Sequence, residues 1–271
     1  MFSTIQHTTW KKISILLFFI TCILCSEIHA STNTRYILTS NRMARKITSE
    51  MVTNNLANAH TIGYRENAPI IRPISTKHRK TSNHFVRVTE SYQPKMTTQY
   101  KNTKNRLNLA ISGPGYFKVL TSQGPRYTLN GEFLINSDYF MVNKNGFFLL
   151  NSGNQPISLP NNASITLIDI SSDGSVYYDG TRIDIIGVFD FPEEAKLLRE
   201  GNNLYAEDSG LEFAVANPTI MANSLLISDV STIHSMELMQ QSHNMVLLSE
   251  QLVNNLNSME KSTVDKLISA R

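Results

Sequence analysis

Cysteine and tryptophan are scarce in this chain of 271 residues, with two of the first and one of the second. Both cysteines, Cys22 and Cys25, fall inside the apolar run Ile13–Cys25. Past that run there is no thiol, so the remaining chain can form no disulfide, thiolate nucleophile or cysteine metal site. The C-x-x-C spacing has no βαβ pattern around it and reads as small apolar filler, not as a redox pair. Charged residues are also few, at 17%, while the hydrophobic fraction of 41% suffices for a buried core. The 13-residue run itself is too short for a comfortable membrane span. Lys11 and Lys12 precede it and Ser26-Glu27-Ile28-His29-Ala30 follows, the layout of a secretory signal with a cut after Ala30. An uncleaved anchor helix is the alternative.

The usual marks of catalysis are missing as well. Seven histidines include no H-E-x-x-H spacing, and His234 and His243, nine residues apart, do not share a helix face cleanly. Gly113-Pro114-Gly115 is followed by no Lys-Ser/Thr and leads into a strand, so it is no phosphate loop. Asp173-Gly174-Ser175 lacks the rest of a calcium loop, and there is no G-x-S-x-G elbow. Asp169, Asp173, Asp179 and Asp184 punctuate strands and turns, the commoner use of aspartate. The residues therefore predict no catalytic, cofactor or metal site.

What is present is patterned. Ile37, Ser40, Ala44, Ile47 and Met51 recur at helical steps, with Leu56 and Ala59 a turn on, and Gly63 is placed to stop the helix. At the other end Leu238, Met245, Leu252 and Met259 recur in sevens, with Met239, Val246, Leu248, Val253 and Leu256 widening the stripe, as in a coiled coil. A helix of that length is marginal alone in water and needs a partner, which the N-terminal stripe can be. Between the two, Leu107 to Tyr205 alternates short strand patterns with turns: Gly113-Pro114-Gly115, Gln123-Gly124-Pro125, Asn130-Gly131, Asn145-Gly146, Asp173-Gly174 and Asp179-Gly180. The Asn-Gly pairs at 130 and 145 predict hairpins. The fold class is α+β: N- and C-terminal helices pairing as a coiled coil, with a central antiparallel β domain.

Charge divides the chain. Residues 65–106 hold ten Lys/Arg and two Glu, whereas residues 107–271 hold nine Lys/Arg and eighteen Asp/Glu. A basic block can mark an anionic polymer. This one has Pro69, Pro73 and Pro94 and few aromatics, and reads as an extended, solvated connector with short extended pieces such as His84–Thr89. The organisation predicted is a signal-like extension 1–30, a helix 31–64, the connector 65–106, a β domain 107–205, a return connector 206–228 and a helix 229–271.

Four motifs stand in order along the chain. The first is Asn55-Leu56-Ala57-Asn58-Ala59-His60-Thr61-Ile62-Gly63-Tyr64. The second is Ala110-Ile111-Ser112-Gly113-Pro114-Gly115-Tyr116-Phe117, opening the β domain. The third is Gly201-Asn202-Asn203-Leu204-Tyr205, and the fourth Ser228-Asp229-Val230. Together they resemble the flagellar rod and hook family of bacteria, whose members commonly carry Pro in place of Ile62 and Ser-Asn-Val in place of Ser228-Asp229-Val230. The resemblance implies a non-enzymatic subunit of the periplasmic rod. It would assemble head-to-tail with copies of itself and other rod subunits and transmit torque, without nucleic acid or small-molecule substrate and with peptidoglycan nearby. A single β domain and a brief connector look most like the proximal-rod members, with the distal-rod members as the alternative. A secreted periplasmic enzyme or glycan-binding β protein is the reading from a different class. Family rod proteins are exported without a cleaved secretory signal, so the first 30 residues here depart from the pattern. The assembly residues expected are Ile47, Met51, Asn55, Leu56, Asn58, Thr61, Gly63 and Tyr64 with Leu238, Met245, Leu252, Leu256 and Met259. Gly113, Gly115, Tyr116 and Phe117 shape the β-domain motif, and amides such as Asn55 and Asn58 would set register between subunits.

Overall fold

The computed structural model describes residues 35–78, 81–92, 98–192, 195, 197–207 and 210–269. The signal-like segment 1–30 and both cysteines lie outside the described residues. The chain forms two compact units. The first comprises the described residues up to 54, residues 67–92 and those from 233 onward; the second comprises residues 55–66 and the described part of 93–232.

In the first unit, helix α1 covers residues 35–57, of which 55–57 belong to the second unit. Strands β1 (Ala68–His78) and β2 (Thr81–Tyr92) make a long antiparallel hairpin with a register shift at Ile70/Ile71. This replaces most of the expected extended connector. Pro69 and Pro73 are tolerated because β1 pairs on one side only, so a missing N–H can face the open edge. Helix α2 runs Thr232–Ser269. Among the described residues no helix is long and apolar enough to cross a membrane.

The second unit is a β body. Its strands are β3 (Tyr100–Asn102), β4 (Leu109–Ile111), β5 (Tyr116–Thr121), β6 (Gly124–Thr128), β7 (Phe133–Ile135), β8 (Met141–Asn143) and β9 (Phe148–Leu149). Then come β10 (Ile168–Ile170), β11 (Ser175–Tyr178), β12 (Thr181–Ile185), β13 (Val188–Asp190), β14 (Leu198–Glu200) and β15 (Leu204–Ala206). The stretch expected as a return connector adds β16 (Phe213–Ala214), β17 (Ile220–Ala222) and β18 (Ser224–Leu226). Nine strands form one sheet in the order β14-β15-β6-β5-β9-β8-β7, with β13 bridging β5 and β16. A three-stranded meander β10-β11-β12 and the pairs β17-β4 and β18-β3 complete it. All recorded pairings are antiparallel, as the turn spacing predicts.

The turns follow local chemistry. Asp179 and Gly180 both have positive φ between Tyr178 and Thr181, the two-residue geometry that matches strand twist. Gly146, at φ 80°, closes the β8–β9 hairpin as expected. Asn130-Gly131 departs from expectation. Strands β6 and β7 do not pair, and Gly131 is there because a Cβ would lie 1.7 Å from the Leu109 carbonyl oxygen. Gly113-Pro114-Gly115 is a tight turn, but β4 and β5 go to different partners. The main core of the body is made of large apolar side chains, including Leu109, Phe117, Val119, Met141, Leu149 and Ile168, none of them exposed to solvent, with smaller clusters around Leu129 and Tyr205. The Phe117 and Phe133 rings meet edge to face at 5.3 Å. Burying each such side chain stabilises by about 1.5–3 kcal/mol.

Candidate assembly interface

Helices α1 and α2 run antiparallel and touch along their length. Arg35 Nη2 donates to Asn257 Oδ1 at 2.8 Å and is ion-paired with Glu260. Arg42 approaches Glu250 at 3.8 Å, and Thr53 Oγ1 lies 4.0 Å from Met239 Sδ. Equal lengths of helix separate these contacts on the two sides, so the pair keeps step. Its buried positions are small: Ala44, Thr48 and Val52 on α1, and Ser235 and Ser242 on α2. The Thr48 hydroxyl donates to the Ala44 carbonyl at 3.0 Å, which satisfies it within its own helix. Ile47 and Met51 are half-buried beside that line.

The sevens on α2 are not the seam. Met245, Leu252 and Met259 are 45%, 43% and 65% exposed, with Met236, Leu248 and Ile268 also exposed. Only Leu238 and Leu256 of the five predicted α2 residues are half-buried. The heptad leucines and methionines form an outer apolar band, while serines, Val246 and Val253 occupy the side nearer α1.

In the second unit the four sequence motifs meet at one joint. Asn55, 1% exposed, accepts a 3.0 Å hydrogen bond on Oδ1 from the Tyr64 hydroxyl. Backbone bonds Asn58 N to Asn55 O, Thr61 N to Asn58 O and Tyr64 N to Thr61 O wind the segment tightly, and the Thr61 hydroxyl reaches Asn58 Oδ1 at 3.1 Å. Gly63, at φ 68°, donates its N–H to Leu226 O at 2.7 Å. A Cβ on it would lie 2.5 Å from the Leu129 carbonyl carbon, so only glycine fits. Asn203 Nδ2 donates to Ile62 O at 2.9 Å, and the Glu66 N–H donates to Asp229 Oδ1 at 2.7 Å. Leu56 is half-buried at the start of this segment.

Arg199 organises the joint, and nothing in the sequence pattern singles it out. Its guanidinium sits 4.4 Å over the Tyr64 ring, and Nη2 donates to Arg65 O at 2.7 Å and to the Tyr205 hydroxyl at 3.1 Å. Tyr205 in turn meets Tyr116 edge to face at 5.5 Å. Gly115, at φ 122°, lets this strand pass Val188, whose Cγ1 would be 2.6 Å from an added Cβ; Gly113 faces open space. Burial raises the Tyr64 and Tyr116 ionisations above the ordinary tyrosine value, so both phenols remain neutral. Asn55, expected to set register between subunits, thus accepts a hydrogen bond inside its own chain.

A second polar cluster lies in the same unit. Lys118 on β5, 4% exposed, donates from Nζ to Glu212 Oε1 at 2.5 Å and to Asn154 Oδ1 at 2.7 Å. The Tyr127 hydroxyl donates to the other Glu212 oxygen. Burial, reinforced by Glu212, pushes the Tyr127 ionisation far up, so it stays a donor. Among the described residues no group of His, Cys, Asp and Glu is gathered as a metal site would be.

Parts of the sequence match known proteins. Residues 110–178 match the family described as flagellar hook protein FlgE/F/G D1 domain. The chain is 29% identical over 178 residues to the flagellar basal-body rod protein FlgF of Caulobacter vibrioides, covering 64% of this chain and 72% of that one. It is 25% identical over 168 residues to FlgF of Rhizobium meliloti, covering 62% and 69%. It is 26% identical over 261 residues to the basal-body rod protein FlgG of Buchnera aphidicola subsp. Baizongia pistaciae, covering 83% and 93%. In sequence the chain is thus similar to flagellar basal-body rod proteins of the FlgF/FlgG type.

Proposed function

We propose that the chain is a structural subunit of the bacterial flagellar basal-body rod, located in the rod and joined there to other rod subunits and to copies of itself. The observation that carries this is the exposed apolar band of Met245, Leu252 and Met259 on a helix already paired on its other side. A monomer leaves that band wet, whereas a stacked array covers it, and a head-to-tail contact that does not close propagates as a filament. The paired helices would extend to neighbouring subunits as a coiled-coil layer. The β body, with its own core, forms the outer part and passes torque along the array. Asn58 and Thr61, half-buried at the joint, close the turn that follows α1. No substrate, cofactor or nucleic acid enters this role, and the rod's setting brings peptidoglycan close. The finer placement as a proximal-rod, FlgF-type subunit rests on the single β body and the short stretch leading to it.

Truncation before Ile233 tests the role. The truncated chain keeps a cooperatively unfolding β body and is absent from purified basal bodies, read by immunoblot. Normal incorporation of the truncated chain would remove the helices from the assembly mechanism. Complementation decides the finer placement: the chain restores motility to a strain lacking its FlgF and not to one lacking FlgG. The reverse pattern assigns it to the distal rod.

A further inference from the structure

The Lys118 cluster does nothing in the assembly described above, yet it brings together an amine, a carboxamide and a carboxylate. Lys118 Nζ lies between Asn154 Oδ1 at 2.7 Å and Glu212 Oε1 at 2.5 Å. The rings of Phe189 and Tyr127 wall it at 4.8 and 5.7 Å. The hydrogen bond to Oδ1 leaves the amide carbon one bond further on, a near-attack placement for the amine. The Tyr127 hydroxyl holds Glu212 from its second oxygen. Asn154 sits in a turn with φ 62° and is exposed, which gives a leaving group a path to water.

We infer that Lys118 and Asn154 join through an intramolecular amide bond, with Glu212 as the proton carrier. Glu212 takes one proton from the Lys118 ammonium. The freed Nζ electron pair attacks Cγ of Asn154, and the carbonyl π pair moves to Oδ1. The attacking nitrogen passes its second proton to Nδ2. The Oδ1 pair returns, the Cγ–Nδ2 bond breaks, and ammonia leaves, taking as ammonium the proton that Glu212 held. An ammonium and a carboxamide become a secondary amide and an ammonium ion, so no oxidant, reductant or co-reactant is needed. The aromatic wall beside the buried Lys118 Nζ strengthens the proton transfer to the half-buried Glu212. The product ties β5 to the turn after β9, strands already bonded through Leu150 N to Lys118 O at 2.9 Å. It gives a covalent brace to a β body that contains no cysteine with which to make one.

The test is mass spectrometry on the purified full chain, measured against the mass implied by its sequenced N-terminus. The wild-type chain is lighter by one ammonia, and its digest contains a branched peptide linking Lys118 to Asn154. Glu212→Gln, which keeps hydrogen-bonding capacity at that side chain, shows the full mass. Asn154→Asp loses water in place of ammonia, a change of leaving group that a structural role would not produce. A wild-type chain at full mass after prolonged incubation overturns the inference, leaving an ion pair only. So does an ammonia loss that maps to other residues, or one that survives in Glu212→Gln.

Discussion

The β body and the helix pair bury opposite kinds of residue. The body hides Phe117, Met141 and Leu149 completely, and its exposed apolar residues are scattered. The helix pair hides alanine, threonine and serine, and leaves methionine and leucine outside. A core of large side chains holds itself together by area removed from water. A seam of small residues contributes little area and chiefly lets two helices come close. The body is therefore built to be stable alone and the helices to be finished by something else.

The sharpest way to break that contrast is at Gly131, where an added Cβ would sit 1.7 Å from the Leu109 oxygen. Gly131→Ala should cost the body on the order of 3 kcal/mol or more, seen as a lower urea midpoint. If stability is unchanged, the body's strands are not locked as described. The helices should respond in the opposite sense. Met245→Glu with Leu252→Glu leaves the free chain's unfolding within about 0.5 kcal/mol of wild type. Incorporation into basal bodies falls about tenfold or more, because a charge is pressed into an apolar contact. Equal incorporation would mean the outer band faces solvent in the rod too.

The joint gives smaller effects. Tyr64→Phe removes the donor to the buried Asn55 oxygen and should cost about 1–2 kcal/mol by denaturant unfolding. A null result would show that the two groups are held by packing alone. The smallest effect lies on the rim of the body. The Ser175 backbone N–H, then its hydroxyl, hold the Asp173 carboxyl below the ordinary aspartate value. That contribution is present above the ordinary value and is lost as pH falls through the lowered one. An NMR titration should find Asp173 below a reference aspartate, and in Asp173→Asn the protection of the Ser175 amide, relative to its intrinsic exchange rate, should no longer change between acid and neutral pH.

Local chemistry was readable from sequence and long-range pairing was not. Asp179-Gly180 and Asn145-Gly146 turned where expected because positive φ, at both residues of the first pair and at Gly146 of the second, fixes a hairpin locally. Asn130-Gly131 carries the same letters, but its glycine answers to Leu109, which is distant in sequence, so the local rule misleads. The α2 sevens were real as a pattern. The pattern alone does not say which side meets the partner helix: Met245, Leu252 and Met259 are exposed, while Ser235 and Ser242 are buried. The β1–β2 hairpin was hidden by its prolines, which a one-sided strand accommodates. The joint's residues were visible as motif members, yet their partnerships, Gly63 with Leu226 and Asn203 with Ile62, span much of the chain. Arg199 and Glu212 carried no local signal.

The hydrogen bond between Glu66 and Asp229 has a consequence for how such chains can diversify. It brings the two ends of a long excursion to the same place, so whatever is threaded between them begins and finishes at one gate. Stretches of that excursion clear of Leu129, Arg199, Asn203, Tyr205 and Leu226, which the joint itself uses, can be lengthened or shortened without moving the gateposts, as inserted segments are tolerated where their ends lie close. A lineage can then vary those stretches and keep the same joint.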